Sequence, residues 1–272
     1  MSEAITFRWA DGTASSPALE PRDDCDVLPA TIEAADSWLV TDGTVLALDL
    51  HRTRFMTSIP RGRYLQLDPA AFWDAAIAAI PRAGDWFPRV ELRTQLLRPQ
   101  LLFRLREAPA RERSIVLATH EGRDPRTAPR VKGPDLEAMV RLRTSVQKTG
   151  AGDAVILSPD GYVADGSTTC LAWWRGDALV IPDDDIERID SVTLRSVLAL
   201  ATATGIDILR ESARPEDLEG CEVWALNALH GIRIVTSWID GPPVAEEPGR
   251  LETWRRRLDA LRRPLPAMSE ES

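Results

Sequence analysis

The chain offers very few amines, so chemistry that needs a deprotonatable amine is limited to a short choice of side chains. Of its 33 basic residues, 31 are arginines, which stay charged, and two are lysines, Lys132 and Lys148. Lys132 lies just before a predicted helix, where the helix dipole disfavours the protonated amine. A neutral amine can attack a carbonyl carbon and form a Schiff base. By position alone, Lys132 is either such a nucleophile facing a cleft or a solvated lysine at a helix start.

Three further groups could hold a charged or phosphorylated ligand. Asp165 ends a predicted strand and faces either a cofactor or the solvent around an Asp-Gly turn. Residues 191–193 begin a predicted helix whose exposed N–H groups could bind phosphate, although a serine there also suits a plain N-cap. His51 and Arg54 stand three residues apart on one helical face, where they form either part of a binding site or a surface ion pair.

The elements that must position these residues mix strands and helices without regular βαβ alternation, which predicts an α+β fold. The Asp-Pro pair at 68–69 predicts a helix start with aspartate as N-cap. Helices are predicted over residues 49–59, from 68 onward, and over 134–150, 191–204 and 251–263. Strands are predicted over residues 6–9, 37–40, 44–48, 90–97, 101–106, 114–118, 154–157, 162–164, 169–174, 178–181, 223–226 and 232–238.

A polar segment with two prolines and a glycine, residues 119–130, is the best candidate for a linker. We therefore expect a small N-terminal α/β domain over residues 1–119, a linker over 120–127 and a larger C-terminal domain over 128–272. No G-x-G-x-x-G or G-x-x-x-x-G-K-[ST] motif is present, which argues against a Rossmann or P-loop nucleotide site.

Composition excludes several classes of protein. With 44% hydrophobic and 28% charged residues the chain is globular rather than disordered. A net charge of -9 argues against a nucleic-acid or anionic-membrane surface. No apolar run approaches the roughly 20 residues needed to span a membrane, and the N-terminus does not resemble a secretory signal. Three cysteines (Cys25, Cys170 and Cys221) are too few for a disulfide framework or a metal cage, so we expect a reduced, cytoplasmic protein.

Together, these residues resemble the class IV aminotransferases, the fold-type IV pyridoxal-phosphate enzymes that include branched-chain and D-amino-acid transaminases and aminodeoxychorismate lyase. The resemblance runs from about residue 37 to residue 238. In that family an H-x-x-R on a short helix holds the cofactor phosphate through its arginine, and His51 and Arg54 match it. The family's Schiff-base lysine precedes a D-G-x-v-x-E-x-s-x-s-N segment, and Lys132 stands 33 residues before Asp165.

Two further segments carry the resemblance. A family helix start, L-x-G-I-T-R, binds the phosphate, and Val192 and Thr193 match its I-T. Residues 222–232 resemble the segment that closes the phosphate pocket, so the resemblance implies that Asn227 and Ala228 contact the cofactor. The N-x-L-x-G-I form of this segment, and Asp135 three residues after the lysine, are closer to aminodeoxychorismate lyase than to branched-chain transaminases.

The sequence departs from the family pattern at four places. The glutamate expected at the pyridine nitrogen is Asp165, shorter by one C–C bond of roughly 1.5 Å. The asparagine expected five residues later is Cys170, the arginine that closes I-T-R is Leu194, and the serine after Asn227 is Ala228. Each departure would weaken cofactor binding or electron withdrawal, and none removes the lysine.

The resemblance implies a two-domain, D-amino-acid-aminotransferase-like fold with pyridoxal 5'-phosphate bound between the domains. It also implies a homodimer that acts as a transaminase on a small amino donor and a keto acid. The alternatives are a lyase that releases pyruvate from aminodeoxychorismate and a non-catalytic homologue. A substrate carboxylate would need an arginine or backbone N–H groups, and Arg93, Arg104 and Arg106 lie on or beside predicted strands that could line the cleft.

Overall fold

The computed structural model describes residues 4–10, 19–22, 30–60, 62–95 and 98–267. Contacts divide the chain into two compact units. The first unit consists of residues 1–109, 131–134 and 262–272, and the second of residues 110–130 and 135–261. Cys25 lies outside the described residues, whereas Cys170 and Cys221 are buried free thiols.

The helices and strands alternate irregularly along the chain, which confirms the predicted α+β class. The helices are α1 (Leu48–Ser58), α2 (Pro69–Ala78), α3 (Leu136–Gln147), α4 (Val192–Ala203) and α5 (Arg250–Asp259). The strands are β1 (Ile5–Trp9), β2 (Leu19–Pro21), β3 (Ala30–Ser37), β4 (Val40–Thr41), β5 (Thr44–Val45), β6 (Asp85–Trp86), β7 (Arg89–Gln95), β8 (Arg98–Leu105), β9 (Ser114–Thr119), β10 (Asp153–Leu157), β11 (Val163–Gly166), β12 (Cys170–Arg175), β13 (Ala178–Pro182), β14 (Ile208–Glu211), β15 (Val223–Asn227), β16 (Gly231–Ile239) and β17 (Arg263–Pro264). Within the described residues, no helix has the length and apolar character needed to cross a bilayer.

An antiparallel five-stranded sheet, in the order β2-β1-β8-β7-β3, forms the body of the first unit. Its register sets Val90 opposite Phe103 and Leu92 opposite Leu101, so these four side chains share one face. They join a single buried apolar cluster with Phe72 of α2. A second, smaller sheet of two-residue strands has the order β17-β5-β4-β6.

Helix α2 begins at the N-cap that the sequence predicts. The Asp68 carboxylate accepts hydrogen bonds from the N–H groups of Ala70 (3.1 Å) and Ala71 (3.0 Å). The buried side of the helix carries Phe72 and Trp73. Burying a side chain such as that of Phe72 contributes about 1.5–3 kcal/mol, so the packed face holds the helix on the sheet.

The opposite face of the same sheet is charged. Arg89, Glu91 and Arg93 alternate with the apolar residues of β7, and Arg104 lies opposite Arg89 on β8. Arg106 follows β8 two residues after Arg104. The register therefore places Arg93 and Arg104 on the same side of the sheet.

Residues 131–134 return to the first unit at the outer strand β3. The Lys132 carbonyl accepts a hydrogen bond of 2.7 Å from the N–H of Ala35. Gly133 has φ +152°, and a Cβ there would lie 2.7 Å from the Cα of Ala34. Only glycine fits such a close approach of two backbones, so Gly133 fixes the Lys132 backbone against β3.

The second unit is built on an eight-stranded sheet in the order β11-β10-β9-β16-β15-β12-β13-β14. Strand β9 pairs in parallel with β10 and with β16, and β13 pairs in parallel with β14. The indole rings of Trp174, Trp224 and Trp254 meet edge to face at 5.2 to 5.5 Å, which joins α5 to this sheet. Strand β14 is an element that the sequence did not predict.

The two units differ in their limits from the predicted domains. The expected N-terminal domain extends to residue 119, whereas residues 114–119 form β9, a central strand of the second unit's sheet. Residues 131–134 and 262–272 belong to the first unit although they follow the expected linker. These short segments belong to the unit whose strands they contact, whatever their position along the chain.

Candidate active site

In the first unit, α1 places His51 and Arg54 on one face, as predicted, and both contact one buried carboxylate. Asp36, near the end of β3, is fully buried. It accepts hydrogen bonds from Arg54 Nε (2.7 Å) and Nη2 (2.8 Å) and from His51 Nδ1 (2.8 Å). This two-point pairing fixes the plane and direction of the guanidinium. Sequence reasoning missed Asp36, because its partners lie 15 and 18 residues away and no local spacing marks them.

Burial and the neighbouring charges shift the pKa values of Asp36 and His51. Burial alone would raise the pKa of Asp36, but Arg54 and His51 hold this pKa well below its ordinary value. Burial lowers the pKa of His51, against the opposing effect of Asp36. Because a carboxylate oxygen accepts, His51 donates to Asp36 from Nδ1.

Lys132 belongs to the same unit and interacts electrostatically with His51. The positive charge of Lys132 contributes to the lowered pKa of His51, after burial and Arg54. The structure therefore brings together three residues that the sequence proposed separately. They offer a primary amine, an oriented guanidinium and an imidazole, which is a set suited to an aldehyde that carries a phosphate.

In the second unit, Asp165 is buried at the end of β11. Its Oδ2 accepts a hydrogen bond from Arg126 Nη1 at 3.1 Å, and its Oδ1 accepts one from the N–H of Gly166 at 3.2 Å. Burial raises the pKa of Asp165 to about 7, although the Arg126 charge and a backbone hydrogen bond from Ile189 favour the ionised form. The carboxyl group is therefore close to its titration point at neutral pH.

Arg126, which the sequence did not single out, holds Asp165 in place. Its side chain is only 2% exposed. Its Nε (3.0 Å) and Nη2 (2.8 Å) donate to Asp124, and Nη2 also donates to the carbonyl of Glu187 at 3.2 Å. Burial would lower the pKa of Arg126, but Asp124 and Asp165 raise it, so the guanidinium stays charged. The loop that follows β9, within the expected linker, thus carries the buried and charged side chain of Arg126.

A buried carboxylate, Asp153, organises the turn after β11. It accepts hydrogen bonds from the hydroxyls of Ser167 and Thr169 and from the N–H of Thr168. A Cβ on Gly166 would lie 2.3 Å from Thr169 Oγ1, so the turn has no room for a larger residue. Thr168 and Thr169, which match the small residues of the family segment after Asp165, are therefore bound to Asp153.

Val192 and Thr193 begin α4, and both are buried. Because their side chains are buried, only their backbone N–H groups could bind an anion. Ser191 is the N-cap, and its hydroxyl accepts a hydrogen bond from the N–H of Leu194 at 3.2 Å. A cavity of about 320 Å³ opens beside Ser191 and Leu194. Arginines and acids lining this cavity pair with one another: Arg195 with Asp190, and Arg188 and Arg210 with Asp184.

Asn227 and Ala228, expected at a phosphate pocket, lie where β15 turns into β16. The side-chain carbonyl of Asn227 accepts hydrogen bonds from the N–H groups of Leu229 (3.2 Å) and His230 (2.8 Å). Its amide nitrogen donates to the carbonyl of Thr168 at 3.4 Å. Ala228 is within the turn that these bonds close, so Asn227 shapes this turn and joins it to residues 167–169.

Short contacts join the predicted pieces of the second unit. A side-chain hydrogen bond links Cys170 to Ser191, and the backbone of Ile189 donates to Asp165. Asp165, the start of α4 and the Asn227 turn therefore meet around residues 165–170. Burial and the charge of Asp165 raise the pKa of Cys170 to about 12, so this thiol is neutral and not a nucleophile.

The raised pKa of Asp165 predicts a pH-dependent stability. Between about pH 4 and pH 7 the folded protein keeps a proton on Asp165 that the unfolded chain has lost, so the free energy of unfolding falls as the pH rises. The variant Asp165→Asn has no such proton to lose. Urea denaturation across this range should show the variant gaining stability relative to the native protein as the pH increases.

The control is Asp160→Asn, since Asp160 is an exposed carboxylate in the turn before β11. Its stability difference from the native protein should change little over the same range. A difference for Asp165→Asn that is constant with pH would show that Asp165 titrates at an ordinary value.

Comparison with known proteins relates the chain to aminotransferases. The family profile described as "Amino-transferase class IV" matches residues 33–238, about three quarters of the chain. A comparison with curated protein sequences found no match.

Three solved structures illustrate the similarity of the fold. A fold IV-transaminase from Curtobacterium pusillum has a TM-score of 0.75 at 17% identity, over 94% of this chain and 97% of that one. A hypothetical aminotransferase from Mycobacterium tuberculosis in its PLP-bound form has a TM-score of 0.74 at 19% identity, over 95% and 98%. The branched-chain amino acid aminotransferase from Escherichia coli has a TM-score of 0.75 at 15% identity, over 94% of each chain.

Proposed function

Because the chain belongs to the class IV aminotransferase family of pyridoxal-phosphate-dependent enzymes, we propose that it transfers an amino group from a small amino donor to a keto acid, with the cofactor attached to Lys132. One observation carries this proposal. The segment that bears Lys132 is bound to β3, beside the α1 face that carries His51 and Arg54. A primary amine and an oriented guanidinium in one unit are what an aldehyde with a phosphate requires.

The donor set of the chain fits each reactive part of pyridoxal phosphate. Lys132 Nζ would hold the aldehyde carbon. Arg54, oriented by Asp36, and the backbone N–H groups at the start of α4 would bind the phosphate. Asp165 would face the ring nitrogen, since an ionised carboxylate favours a protonated pyridine. The raised pKa of Asp165 is consistent with a site that gains an additional cationic partner when the cofactor binds.

The residues of the chain would then act as follows. When bound, the cofactor supplies an aldehyde that captures the donor amine and a ring that accepts the electron pair of the Cα–H bond. Lys132 Nζ takes the proton from the donor Cα as a general base and delivers it as a general acid. Arg126 favours the ionised form of Asp165 through their hydrogen bond of 3.1 Å, and Asp36 keeps Arg54 fixed.

A lyase acting on aminodeoxychorismate is the alternative reaction. Two residues favoured it in the sequence, Asp135 and Asn227. The Asp135 carboxylate accepts hydrogen bonds from the N–H groups of Thr127 (2.8 Å) and Ala128 (2.9 Å), and Asn227 closes the turn after β15. Because both residues bind neighbouring backbone, they give the lyase no separate support, and transamination ranks first.

Release of keto acid distinguishes the two reactions. The purified enzyme, loaded with pyridoxal phosphate, is given one amino donor without an acceptor. A transaminase releases about one equivalent of keto acid per site and resumes only when pyruvate or 2-oxoglutarate is added. Release of many equivalents of pyruvate from aminodeoxychorismate without an acceptor would instead establish the lyase. Failure of every donor to react with cofactor-loaded protein would support a non-catalytic homologue.

The proposal extends to assembly and location. As the family resemblance implies, we infer a homodimer that works in the cytoplasm. Sedimentation of the cofactor-loaded protein should give a particle of two chains at micromolar concentration. A particle of one chain at the same concentration would contradict the assembly.

A further inference from the structure

The cavity beside helix α4 is lined by none of the side chains assigned to the cofactor. Its lining comes from one side of α4, from β13 and β14, from Arg130 and from the loop 183–191, and we call it the α4 cavity. Lys132, Arg54 and Asp165 do not line it. Its volume of about 320 Å³ lies at the lower end of the range for ligand pockets, so it is large enough for one small molecule.

The floor of the α4 cavity is aliphatic. Leu194 and Leu198 contribute from α4, Ile181 from β13, and Ile186 and Ile189 from the loop. Three of these residues are buried, whereas Leu198 and Ile189 are half-buried. A hydrocarbon chain laid on this floor would remove the exposed parts of Leu198 and Ile189 from water, which is favourable.

Two arginines at the rim of the cavity share one carboxylate. Arg188 Nη2 lies 3.5 Å from Asp184 Oδ1, and Arg210 Nε lies 2.7 Å from Asp184 Oδ2. This geometry shows that the two guanidiniums are spaced to hold a carboxylate between them. The Asp184 side chain is 66% exposed, so solvent screens both ion pairs and they contribute little to stability. The carboxylate of a ligand can therefore compete with Asp184 for the two guanidiniums.

The charge of the rim selects the kind of ligand. The other two arginines of the rim each have a carboxylate partner, Arg195 with Asp190 at 3.2 Å and Arg130 with Glu187 at 3.1 Å. Together with Arg188, Arg210 and Asp184, four guanidiniums face three carboxylates. The excess of one positive charge suits a ligand with a single negative charge and disfavours a cation.

The loop that lines the cavity is held in place by buried groups. The buried Arg126 donates to the carbonyl of Glu187 at 3.2 Å, and the backbone of Ile189 donates to the buried Asp165. Arg188 Nη1 donates to two carbonyl oxygens of the loop at 2.6 and 3.1 Å. These bonds form without a ligand, and a site that is already formed costs less to fill.

We propose that the α4 cavity binds an aliphatic monocarboxylate. The hydrocarbon chain would lie on Leu194 and Leu198, and the carboxylate would accept hydrogen bonds from Arg188 and Arg210. The cavity has the volume of about ten water molecules in the liquid, which limits the ligand to a chain of about six to eight carbon atoms. This site does not rest on the proposed function, because a carboxylate can bind there whether or not the chain transfers amino groups.

The experiment is equilibrium dialysis of isotopically labelled octanoate against the full chain at constant ionic strength. Saturable binding is expected for the native protein. Leu198→Glu places a negative charge on the floor and should weaken the Kd at least about tenfold. Leu200→Glu is the matched control, because Leu200 is also half-buried on α4 but does not line the cavity, and its Kd should stay unchanged.

A second pair of variants tests the rim. Arg210→Gln removes one of the two guanidiniums and should weaken the Kd severalfold. Arg141→Gln should leave the Kd unchanged, since Arg141 is also exposed and paired, with Glu137 on α3, but does not line the cavity. If Leu198→Glu fails to fold, Arg210→Gln decides the test.

Other probes and one further variant identify what is recognised. Octan-1-ol and octylammonium have the chain without the negative charge, and acetate has the charge without the chain, so each should bind more weakly than octanoate. Octanoate could also occupy a substrate site, so the dialysis is repeated with Arg104→Gln. Binding that survives Arg104→Gln and is weakened in the two cavity variants supports the proposal. Binding lost only in Arg104→Gln, equal or tighter binding of another probe, or no saturable binding overturns it.

Discussion

Replacing Lys132 with alanine is expected to abolish covalent retention of pyridoxal phosphate and to reduce amino transfer at least about a hundredfold. A positioned general acid or base contributes on the order of 10²–10⁴ to a rate, and the covalent attachment is lost as well. Lys148 follows α3 and is exposed, so it does not replace the missing amine. The measurements are the near-ultraviolet absorbance of the dialysed protein and the initial rate of keto acid release.

The matched control is Lys148→Ala, which removes the other lysine and should keep both the absorbance and the rate. The fold of Lys132→Ala should be unchanged, because Lys132 is fixed to β3 through its carbonyl oxygen and the close approach of Gly133. An active Lys132→Ala that keeps the cofactor through dialysis would contradict the assignment. Inactivity accompanied by loss of cooperative unfolding would be uninformative for this variant, and Lys132→Arg then serves in its place, since it keeps the charge and cannot form the bond.

Replacing Arg54 is expected to weaken cofactor affinity at least about thirtyfold, or about 2 kcal/mol, the lower end for loss of one partner of a buried charge pair. The simple variant Arg54→Ala has a second effect. It leaves the fully buried Asp36 with His51 as its remaining strong partner, and an uncompensated buried charge costs about 3–5 kcal/mol. Arg54→Ala should therefore lower both cofactor affinity and stability.

A double variant separates these two effects. Asp36→Asn with Arg54→Gln removes both charges, keeps hydrogen-bonding groups of similar shape, and should recover most of the lost stability. Cofactor affinity should stay low, because no guanidinium is left for the phosphate. Recovery of cofactor affinity together with stability would show that Arg54 acts only through the fold. An unchanged cofactor Kd in Arg54→Ala would show that another group binds the phosphate.

Local signals were enough to predict some elements, and they failed where partners are distant. Two adjacent residues, Asp68 and Pro69, form the N-cap and the first position of α2, so the start of this helix could be predicted directly. Strand β14 pairs in parallel with β13 at the edge of the sheet, and nothing in residues 208–211 marks this pairing. The limits of the two units also depend on distant contacts. Residues 131–134 join β3 through a hydrogen bond between residues about 100 positions apart in the sequence.

The same distinction holds for the candidate site. The family resemblance identified Lys132, Arg54 and Asp165, whose types and spacing follow a pattern. It could not identify Asp36 or Arg126, the two residues that hold Arg54 and Asp165 in position. Their roles arise from burial and long-range hydrogen bonds, and an aspartate in a strand or an arginine in a polar loop gives no such indication alone.

Chemical trapping of the cofactor tests the central claim most directly. The purified protein is loaded with pyridoxal phosphate, reduced with borohydride and digested, and the labelled peptide is sequenced by mass spectrometry. The account predicts a single label on Lys132, with the Arg130–Arg141 region carrying it and the peptide that contains Lys148 unlabelled. A label on Lys148, or no label after saturation with the cofactor, would contradict it.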